Sequence, residues 1–520
     1  MVNSTFNIDD FSDTRVWDLI CSGQTKGVFQ LESQLGRSWA KRVAPRSIEE
    51  LAALISLIRP GCLKAFTEGK SMTQHYVDRK SGLDEVTYLH PSLEPILRET
   101  YGVLVYQEQS MKIAQQLAGF DLEGADGLRK AIGKKKAGLM AKVKKAFLAG
   151  ATSKGDITKE AAEEIFSWIE KSNRYAFNKS HAVSYAVNAF RSAYCKVHRK
   201  VKFFEAYLNH SERKPDPHVE IKELVSDAKL YDIDVLPPRL NNLHGDFSAD
   251  GNTVYFGISN VKGVGSAETK KMLSLIPDIE KKLGVSVKDF TWTDSLFNFG
   301  LKINKTCMES LINVGTFNGA NNNKHRNAML YEYKSYRDLS NREREWLLEN
   351  YKSEDSLIAS IDYMINNLKI NSNRLIKVFD IRNMIESPPF ELTDHPERIA
   401  DTEHKYLGVA LTYCKTDAVE SAAVNCTCKE IVHGRTGKVN VAIHINSLRE
   451  YKTKNGKNPG QIMAFLSVED ATASLDSAIM FPDAYSQFKD ILYEGNTVVA
   501  FGQVSSKKDT SLIINKVSQA

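Results

Sequence analysis

The hydrophobic period of the chain changes near Lys438, and this change constrains the fold more than any other feature. In about the first 230 residues, apolar side chains recur every three to four positions, as in "SIEELAALISLI", which predicts amphipathic helices. After Lys438 the period becomes two, because Val439, Val441, Ile443 and Ile445 alternate with other residues, which predicts a strand. The chain therefore combines helical regions with a separate C-terminal β domain.

Four further apolar runs follow this first predicted strand, and they are "QIMAFLSV", "SLDSAIMF", "TVVAFGQV" and "SLIINKV". The segment "DAYSQFKDIL" predicts a helix between the third and fourth strands, and "KTKNGK" predicts a basic hairpin turn. Five short strands with this helix indicate a small barrel of the oligonucleotide-binding (OB) type. We interpret Phe465 and Phe481 as core residues of the barrel rather than as groups that stack on bases.

The chain has 520 residues, which is too long for a single hydrophobic core. The segment "LPPRLNNL" interrupts the helical pattern with two prolines and two asparagines and marks a boundary. We predict three regions, which are residues 1–235, 236–400 and 401–520, the last containing a linker and the barrel.

Composition is that of an ordinary soluble globular protein, with 42% apolar and 26% charged residues. The sequence contains neither an apolar run of 18 residues nor a basic and apolar leader, so we predict a cytoplasmic protein without a membrane partner. The seven cysteines are scattered. Cys414, Cys426, Cys428 and His433 match no common zinc spacing, so ordinary thiols and no bound metal are predicted.

The strongest charge feature is the run from Arg129 to Lys154, which contains nine basic residues and no acidic ones. Most charge runs are solvated helix faces. Such faces usually mix signs, however, and Gly133 lies between two basic clusters, where a bend would aim both at one anion. The run therefore favours binding of a polyphosphate or a nucleic-acid backbone.

The stretch "RYAFNKSHAVSYA" crowds polar groups against a predicted helix whose small side chains, Ala182, Ala186, Ala189 and Ala193, form one stripe. One interpretation is a well-packed helix capped by Asn178 or Ser180. The other is a phosphate site, in which Lys179, Ser180 and His181 stand at a helix N-terminus with free amide donors. These residues alone leave both interpretations open.

Two further motifs are weaker. "VKGVG", residues 261–265, is similar to the hairpin of a helix-hairpin-helix unit, which offers backbone amides to DNA phosphates, although an ordinary strand-to-helix turn has the same pattern. Asp232 and Asp234 form a D-x-D pair of the kind that can hold magnesium ions. We interpret them as structural, because they precede a double proline and have no third carboxylate nearby in the sequence.

Taken in order, "GVFQLES", "LIRPG", "YGVLVYQEQ", "GADGLRKAIGKKK", "FNKSHAVSYA", "VLPPRLN", "YFGISNVKGVG" and "HKYLGVALT" resemble the bacterial replicative DNA polymerase III alpha subunit family. The resemblance covers nearly the whole chain and is faintest between about residues 320 and 400. It is to the C-terminal part of that family. The palm motifs that carry three catalytic aspartates have no counterpart here, so we expect either one polypeptide of a split phage polymerase or a shortened chain.

The resemblance implies a multi-domain, mainly α fold. Helical fingers (1–235) and a helix-hairpin-helix and clamp-binding region (236–400) would precede the linker and the five-stranded OB barrel (401–520). It assigns nucleotide binding to Arg129, Lys130, Lys179, Ser180 and His181, with Arg59, Gln107 and Gln109 in matching fingers motifs. It assigns DNA binding to Lys134, Lys135, Lys136, Lys262, Gly263, Gly265, Lys452, Lys454 and Lys457. Lys130 replaces the second arginine of a paired motif, which keeps the charge and loses bidentate geometry.

The function so implied is that of the C-terminal half of a replicative DNA-directed DNA polymerase. This half would bind the incoming deoxynucleoside triphosphate (dNTP) and template-primer DNA, while a separate palm-bearing chain would supply the aspartates for Mg²⁺. The chain alone would be inactive. A sliding clamp or another processivity factor is a further expected partner, although "LIKVFD" near Val378 lacks the glutamine of a clamp-binding peptide. The alternative is a non-catalytic DNA-binding or assembly factor.

Overall fold

The computed structural model describes residues 6–67, 69–134, 137–153, 157–173, 176–319, 321–419, 421–453, 459–504 and 512–519. The chain forms two compact units, Met1–Lys200 and Val201–Ala520. The predicted region boundaries after residues 235 and 400 stay predictions. Along the described residues, no helix has both the length and the apolar character that crossing a bilayer requires.

The first unit contains eleven α-helices and one short hairpin within its described residues. The helices are α1 Thr14–Ser22, α2 Gln34–Val43, α3 Ile48–Leu57, α4 Pro60–Lys64, α5 Met72–Lys80, α6 Glu94–Leu97, α7 Gln107–Ala118, α8 Leu122–Lys134, α9 Ala137–Ser153, α10 Lys159–Asn173 and α11 Lys179–His198. The hairpin pairs β1 Phe66–Thr67 with β2 Lys70–Ser71.

Helix α11 is the central helix of this unit, and its sequence explains its position. The predicted stripe of Ala182, Ala186, Ala189 and Ala193 is fully buried, and the small side chains allow the helix to pack closely against α3. Helix α3 begins at the predicted serine cap, where Ser47 accepts a hydrogen bond from the amide of Glu50. Both helix predictions are confirmed.

Helices α7 to α10 form a lobe with its own hydrophobic core, which includes Leu117, Phe147 and Phe166. Gly150 in α9 makes the close contact with α7 possible. A β-carbon at this position would lie 2.0 Å from the carbonyl oxygen of Ala118, so only glycine fits. The lobe lies between residues 106 and 177, which are joined by a β-bridge.

The second unit begins with a helical region whose helices are α12 Lys200–Asn209, α13 Pro217–Leu230, α14 Ser266–Leu283, α15 Trp292–Gly300, α16 Lys305–Asn313, α17 Arg326–Asp338, α18 Asn341–Asn350, α19 Leu357–Asn367, α20 Ser372–Glu386, α21 Pro396–Leu407 and α22 Cys428–Val432. A three-stranded sheet precedes α14. It has the order β3 Asp234–Leu236, β5 Thr253–Tyr255 and β4 Ser248–Asp250, with β3 parallel and β4 antiparallel to β5.

A buried ion pair ties α17 to α21 in this region. Arg326 donates to Glu403 at 2.9 Å, and the same carboxylate accepts the amides of Leu411 and Thr412 at 2.7 and 2.8 Å. Arg239 lies beside them and donates to the carbonyl oxygen of Gly315. Burial and the neighbouring Arg326 charge lower the pKa of Arg239 to about 10. The "HKYLGVALT" segment is thus held by one buried carboxylate.

The C-terminal strands close into a five-stranded barrel, which confirms the OB-type prediction. The strands are β6 Gly437–Lys452, β7 Ile462–Glu469, β8 Ser474–Met480, β9 Thr497–Val504 and β10 Leu512–Gln519. Their order is β10-β8-β7-β6-β9, and only the β8–β10 pair is parallel among these described strands. The predicted helix, α23 Pro482–Phe488, stands between β8 and β9. The chain is therefore multi-domain and mainly α, with a C-terminal barrel.

The structure corrects two expectations. Phe465 and Phe481 are 39% and 50% exposed, so the prediction that they belong to the core is wrong. Phe465 lies between β6 and β8 and points outward from the barrel, since its neighbours Ala464 and Leu466 are buried. Phe481 precedes α23 at the surface. The "LIKVFD" segment lies inside α20 with Val378 fully buried, so it is not an extended clamp-binding peptide. The turn predicted at "KTKNGK" lies mostly outside the described residues.

Candidate nucleotide and nucleic-acid interface

Two separate sequence motifs meet at the start of α11. The amide of Phe177 donates to the carbonyl oxygen of Val105 at 3.0 Å, and the amide of Gln107 donates to that of Phe177 at 2.9 Å. The side chain of Gln107 adds a hydrogen bond to the carbonyl oxygen of Ala176 at 3.2 Å. The "YQEQ" and "FNKSH" segments therefore form one surface, called here the fingers wall, which comprises residues 105–109 and 176–181.

The N-terminus of α11 is capped by two side chains. The Asn178 side-chain oxygen accepts the amide of His181 at 2.8 Å and the hydroxyl of Ser180 at 2.7 Å, as the cap prediction requires. Glu108 accepts the amide of Lys179 at 2.9 Å and the side-chain amide of Asn178 at 2.8 Å. The expectation of free donors is therefore corrected, because the Lys179 and His181 amides both have partners.

The ammonium of Lys179 is also paired. It lies 2.8 Å from both carboxylate oxygens of Glu99 and 5.6 Å from the ring centre of Tyr106. Glu99 is 80 residues away in sequence. Both side chains of the pair are partly exposed, so an anionic ligand can compete for the ammonium.

Arg129 and Lys130 lie on α8, which packs against α7. Both contact Asp126, with distances of 2.7 Å from the Arg129 guanidinium and 2.7 Å from the Lys130 ammonium. Hydrogen bonds from Lys130 and Arg129 lower the pKa of the Asp126 carboxyl. The basic run from Arg129 to Lys154 thus begins with two cations that share the Asp126 carboxylate, which lies one helical turn before them. Lys134 ends α8, and its side chain, with Lys135 and Lys136, lies outside the described residues.

Gln109 has a structural role. Its side-chain oxygen accepts the amides of Val105 and Tyr106 at 2.9 Å each, and its nitrogen donates to Thr100 at 2.8 Å and to Ile96 at 3.3 Å. A buried amide with all these partners is not available to a nucleotide. The structure therefore argues against direct ligand contact by Gln109.

Arg59 lies at the edge of the fingers wall. Its guanidinium carbon is 3.8 Å from the ring centre of Phe177, which indicates cation–π stacking, and the side chain is exposed. Among the described residues Arg59 has no carboxylate partner. The structure thus brings Arg59, Gln107, Lys179, Ser180 and His181 together around one backbone bridge.

The "VKGVG" hairpin directly precedes α14. Gly263 has φ +95°, and a β-carbon there would lie 2.6 Å from the hydroxyl oxygen of Ser310, so glycine is required. The amide of Lys262 donates to Tyr406 of α21 at 2.8 Å. Gly265 is the N-cap residue of α14, so the first turn of this helix has no side-chain cap. A β-carbon added at Gly265 would meet no atom within 4 Å. The side chain of Lys262 is exposed, and its ammonium has no carboxylate partner within the described part of the chain.

One face of the extended β6–β7 ribbon presents Arg449, Tyr451 and Phe465. Arg449 pairs directly with Phe465 across the strands, and the rings of Tyr451 and Phe465 are 6.2 Å apart. The intervening Glu450 accepts a hydrogen bond from Tyr485 of α23 at 2.7 Å, so the ribbon presents a different face to solvent. Lys452 is exposed at the end of β6, while Lys454 and Lys457 lie outside the described residues.

The carboxylates and thiols give no metal centre in the described ranges, which contain no group of three or more metal-ligating side chains. Asp232 pairs with Lys429 at 2.5 Å, which agrees with a structural role. Burial raises the pKa of Cys426 to about 11 and raises that of Cys414 and Cys428, as expected for packed thiols.

Comparison with known proteins finds family matches for two regions of the chain. Residues 3–155 match the bacterial DNA polymerase III alpha subunit finger domain, and residues 232–328 match a helix-hairpin-helix motif. The chain is homologous to part of the DNA polymerase III alpha subunit. The predicted resemblance is therefore confirmed.

The DNA polymerase III alpha relatives extend this similarity over nearly the whole chain. The Aquifex aeolicus subunit is 32% identical over 502 residues, covering 96% of this chain and 38% of the relative. The Staphylococcus epidermidis and Staphylococcus aureus subunits are each 28% identical and cover 99% and 98% of this chain, but 44% and 43% of the relatives. The chain thus spans about two fifths of the length of these relatives.

The sequence analysis did not predict which carboxylates pair with the basic residues and amides of the fingers region. Glu108 stands between the two glutamines already noted, and Asp126 lies three residues before Arg129, so both were visible in the motifs. Glu99 had no local signal, because its pairing with Lys179 depends on the tertiary fold.

Proposed function

We propose that the chain is the fingers, helix-hairpin-helix and barrel part of a DNA-directed DNA polymerase. It binds the incoming dNTP and template-primer DNA, and a separate palm-bearing chain supplies the catalytic aspartates. The observation that carries this proposal is the bridge between residues 105–107 and Phe177, which gathers Arg59, Lys179, Ser180 and His181 on one surface of a finger-domain relative. A cytoplasmic location is part of the same proposal.

The reaction is phosphoryl transfer. The 3′-oxygen of the primer attacks the α-phosphorus of the dNTP, a new P–O bond forms, and the bond to the oxygen that bridges to the β-phosphorus breaks. Pyrophosphate leaves with the electron pair. The fingers contribute cations that position the triphosphate and offset the charge that develops on its oxygens. Arg129, Lys130 and Lys179 take this role by exchanging their carboxylate partners for phosphate oxygens.

Magnesium belongs to the assembled polymerase in this proposal. The described residues of this chain offer no carboxylate group suited to the ion, and Asp232 is already paired with Lys429. We therefore assign the ligands of the ion to the palm-bearing chain.

The hairpin is the proposed contact with duplex DNA. The backbone amides of Gly263 and Gly265 and the uncapped start of α14 suit a phosphate, whereas the amide of Val264 is bonded to the carbonyl oxygen of Val261. The ammonium of Lys262 adds a positive charge. Contacts of this kind hold the duplex without reading its sequence. The fit supports template-primer binding independently of the fingers.

The β6–β7 ribbon is the proposed contact with single-stranded template. Arg449, Tyr451 and Phe465 combine a cation with two exposed rings, and such surfaces bind single strands by stacking and backbone attraction. Lys452, and with it the predicted contacts Lys454 and Lys457, would extend the charge along the ribbon. A clamp or other processivity partner stays a proposal without an assigned peptide.

Reconstitution tests the whole assignment. This chain alone is expected to extend no primer, and activity should appear when a palm-bearing chain is added with Mg²⁺, primer-template and dNTPs. Inactivity of the pair under these conditions would contradict the proposal.

Arg129→Ala tests the nucleotide role within the active pair. We expect kcat/KM for the nucleotide to fall on the order of a hundredfold, because a preorganised cation is lost. Arg98→Ala is the control, since Arg98 is an exposed arginine whose partner is Glu94. An unchanged nucleotide KM and kcat would remove Arg129 from the site.

The second candidate is a non-catalytic DNA-binding or assembly factor. The specific observation in its favour is that Arg129, Lys130 and Lys179 are all neutralised by internal carboxylates. It predicts normal DNA binding through the hairpin and barrel and no effect of Arg129→Ala on any polymerase.

A further inference from the structure

A cavity of about 250 Å³ lies in the second unit, where the barrel packs against the helical region. We call it the joint cavity. Its helical wall is formed by α13, α21 and the segment after α21, and its barrel wall by β6, the end of β7 and the turn that follows. The cavity is smaller than the roughly 300 Å³ at which pockets for drug-sized ligands begin, so it suits a small ligand. Its basic lining residues are Lys222, Lys229, His404, Lys415 and His444.

Side-chain hydrogen bonds join the two walls of the joint cavity. Lys222 of α13 donates to the side-chain oxygen of Asn446 at 2.7 Å. Ser226 donates to the hydroxyl of Ser474 at 2.9 Å and accepts the amide of the same residue at 3.0 Å. Both walls are therefore held in place before a ligand arrives, which reduces the ordering cost of binding.

Three carboxylates also line the joint cavity, and each of them already has partners. Glu469 lies 3.3 Å from the ammonium of Lys222, and Asp401 lies 3.0 Å from that of Lys415. Asp470 accepts three backbone amides and one hydroxyl from its own turn and from α22. Two of the five basic residues are thus neutralised by carboxylates of the lining.

The other three basic groups of the cavity have no carboxylate partner. Over the ranges that the structure describes, the ammonium of Lys229 and the ring of His404 have no hydrogen-bond partner either. The ring of His444 uses Nδ1 for the hydroxyl of Thr497 at 3.0 Å, which leaves Nε2 for a ligand. A lysine ammonium is purely a donor, and a protonated imidazole donates from both nitrogens. These groups therefore suit an anion with several acceptor oxygens.

The two histidines report the positive charge around the cavity. Burial and the charge of Lys222 lower the pKa of His404, although Glu469 and Asp401 oppose this change. Burial lowers the pKa of His444 as well, with contributions from Lys415, Lys222 and His404 against that of Glu469. A bound anion would raise both pKa values, because it stabilises the charged imidazole. Binding of an anion would therefore take up protons.

We propose that the joint cavity binds a phosphate-class oxyanion, with Lys229, His404 and His444 as its donors. These donors stand on α13, α21 and β6, and the oxygens of a phosphoryl group point in directions that can meet donors from separate elements. The ligand is either free phosphate or pyrophosphate, or a backbone phosphate of single-stranded DNA, because all carry the same oxygens. The proposal goes beyond the proposed function and does not rest on it, since none of the three donors belongs to the fingers wall, the hairpin or the Arg449–Phe465 face.

Nuclear magnetic resonance of the full chain, with histidine labelled at Cε1, tests the proposal at the site itself. The resonances of His404 and His444 are assigned from spectra of His404→Gln and His444→Gln. One arm titrates inorganic pyrophosphate, and the other titrates oligothymidylate without terminal phosphates. Both resonances are expected to shift, and their pKa values to rise, in at least one arm, which identifies the source of the phosphate. Unmoved resonances in both arms would overturn the proposal.

Lys229→Met removes one donor and keeps an unbranched side chain of similar length. It is expected to weaken binding of the active probe roughly tenfold or more, the worth of one charge-assisted hydrogen bond. Lys229→Arg keeps the charge and should retain most of the affinity. Lys438→Met is the matched control, because Lys438 is an exposed lysine of β6 outside the cavity. Equal affinities of Lys229→Met and Lys438→Met would overturn the assignment of the donors.

The uptake of protons gives an independent readout. Sulfate has the same tetrahedral shape as phosphate and keeps its charge between about pH 6 and pH 7.5, so any change in its affinity comes from the protein. The affinity measured from the two histidine resonances should be about threefold or more higher at the lower pH. Calorimetric binding of pyrophosphate that leaves both resonances unmoved would place the anion elsewhere in the chain and overturn the joint site, while the proposed function would stand.

Discussion

The basic residues of the fingers region and of the hairpin differ in whether their side chains have internal partners. In the fingers, Arg129 and Lys130 share Asp126, and Lys179 is held by Glu99. In the hairpin, the ammonium of Lys262 has no carboxylate partner among the described residues, and the start of α14 has no side-chain cap. The first surface is electrostatically closed and the second is open.

The difference indicates how each surface would use its ligand. Paired side chains are held in place before a ligand arrives, which reduces the ordering cost of binding, but the ligand must displace a carboxylate. The Lys262 ammonium and the uncapped start of α14 need no exchange of partners. The fingers are thus suited to a small ligand that binds and leaves repeatedly, and the hairpin to a polymer that stays bound while it slides.

The largest expected effect is on the free energy of unfolding, and it comes from Glu403, the buried carboxylate of α21. Glu403→Gln should lower the free energy of unfolding by about 3 kcal/mol, because it leaves the buried Arg326 charge without its partner. DNA binding should fall with it, since α21 also carries Tyr406, which holds Lys262. Denaturant unfolding measures the first effect. Glu386→Gln, which removes an exposed pair with Arg382, is the control and should cost less than about 1 kcal/mol.

Replacing each hairpin glycine by alanine compares a position whose backbone and surroundings require glycine with one that can accept a β-carbon. Gly263→Ala should destabilise by about 1–2 kcal/mol, because its φ is positive and the new β-carbon meets Ser310. We expect duplex DNA affinity to fall about tenfold as the hairpin shifts, a loss of about 1.4 kcal/mol. Gly265→Ala meets no neighbouring atom and should fold normally. Equal thermal stability of the two variants would show that the hairpin is not constrained as described.

The carboxylate exchange proposed for the fingers is tested by Glu99→Gln. Removing a partly exposed pair worth up to about 1 kcal/mol should tighten nucleotide binding about two- to fivefold, because Lys179 no longer has to be released. Calorimetric titration with dNTP measures this change. Glu94→Gln, which frees Arg98 instead, is the control. Weaker nucleotide binding by Glu99→Gln would mean that Glu99 positions Lys179 for the ligand. It would contradict the expectation that the ligand must displace this carboxylate.

The hairpin charge should appear in the salt dependence of DNA binding. Lys262→Ala is expected to reduce the slope of log K against log salt by about one, with a similar loss for every sequence. Lys270→Ala is the control, because Lys270 is an exposed lysine further along α14. Equal slopes for both variants would place the DNA phosphate elsewhere.

The smallest effect concerns pH. Burial and the Lys222 charge lower the pKa of His404 on α21 below its ordinary value. The unfolded state then binds more protons near pH 6, so stability is full above pH 6.5 and falls as pH drops below it. The melting temperature of the second unit should therefore decline from pH 7 to pH 5.5. His404→Gln should flatten that decline, and an unchanged slope would exclude His404 as its source.

Much of the fold follows from local patterns. The alanine stripe of α11, the Asn178 cap and the five barrel strands all depend on periods and caps within a few residues, which sequence reports directly. The exposure of Phe465 does not, because it depends on which face of β7 the closed barrel turns outward. Val378 shows the same limit, since its burial depends on the helices that pack against α20.

The site divides in the same way. The cations were visible as residue types, whereas their partners were decided by tertiary contacts such as Glu99 with Lys179. Gln109 is a polar residue of a type that can contact a ligand. Only its four buried hydrogen bonds reveal a structural role. Local sequence therefore identifies the side chains that carry positive charge, whereas the tertiary fold decides which carboxylates neutralise them.

The bridge between Tyr106 and Phe177 has a consequence for how this protein can vary. The chain leaves the bridge at residue 107, builds the α7–α10 lobe and returns to the same point at residue 176. Because both ends of the excursion are fixed, a longer or shorter connection at the far side of the lobe costs little loop entropy and leaves the fingers wall in register. The lobe can therefore accept insertions that leave Gln107 of α7 and the Arg129–Lys130 pair of α8 in place, while a one-residue change at the bridge itself would shift the side chains of the wall.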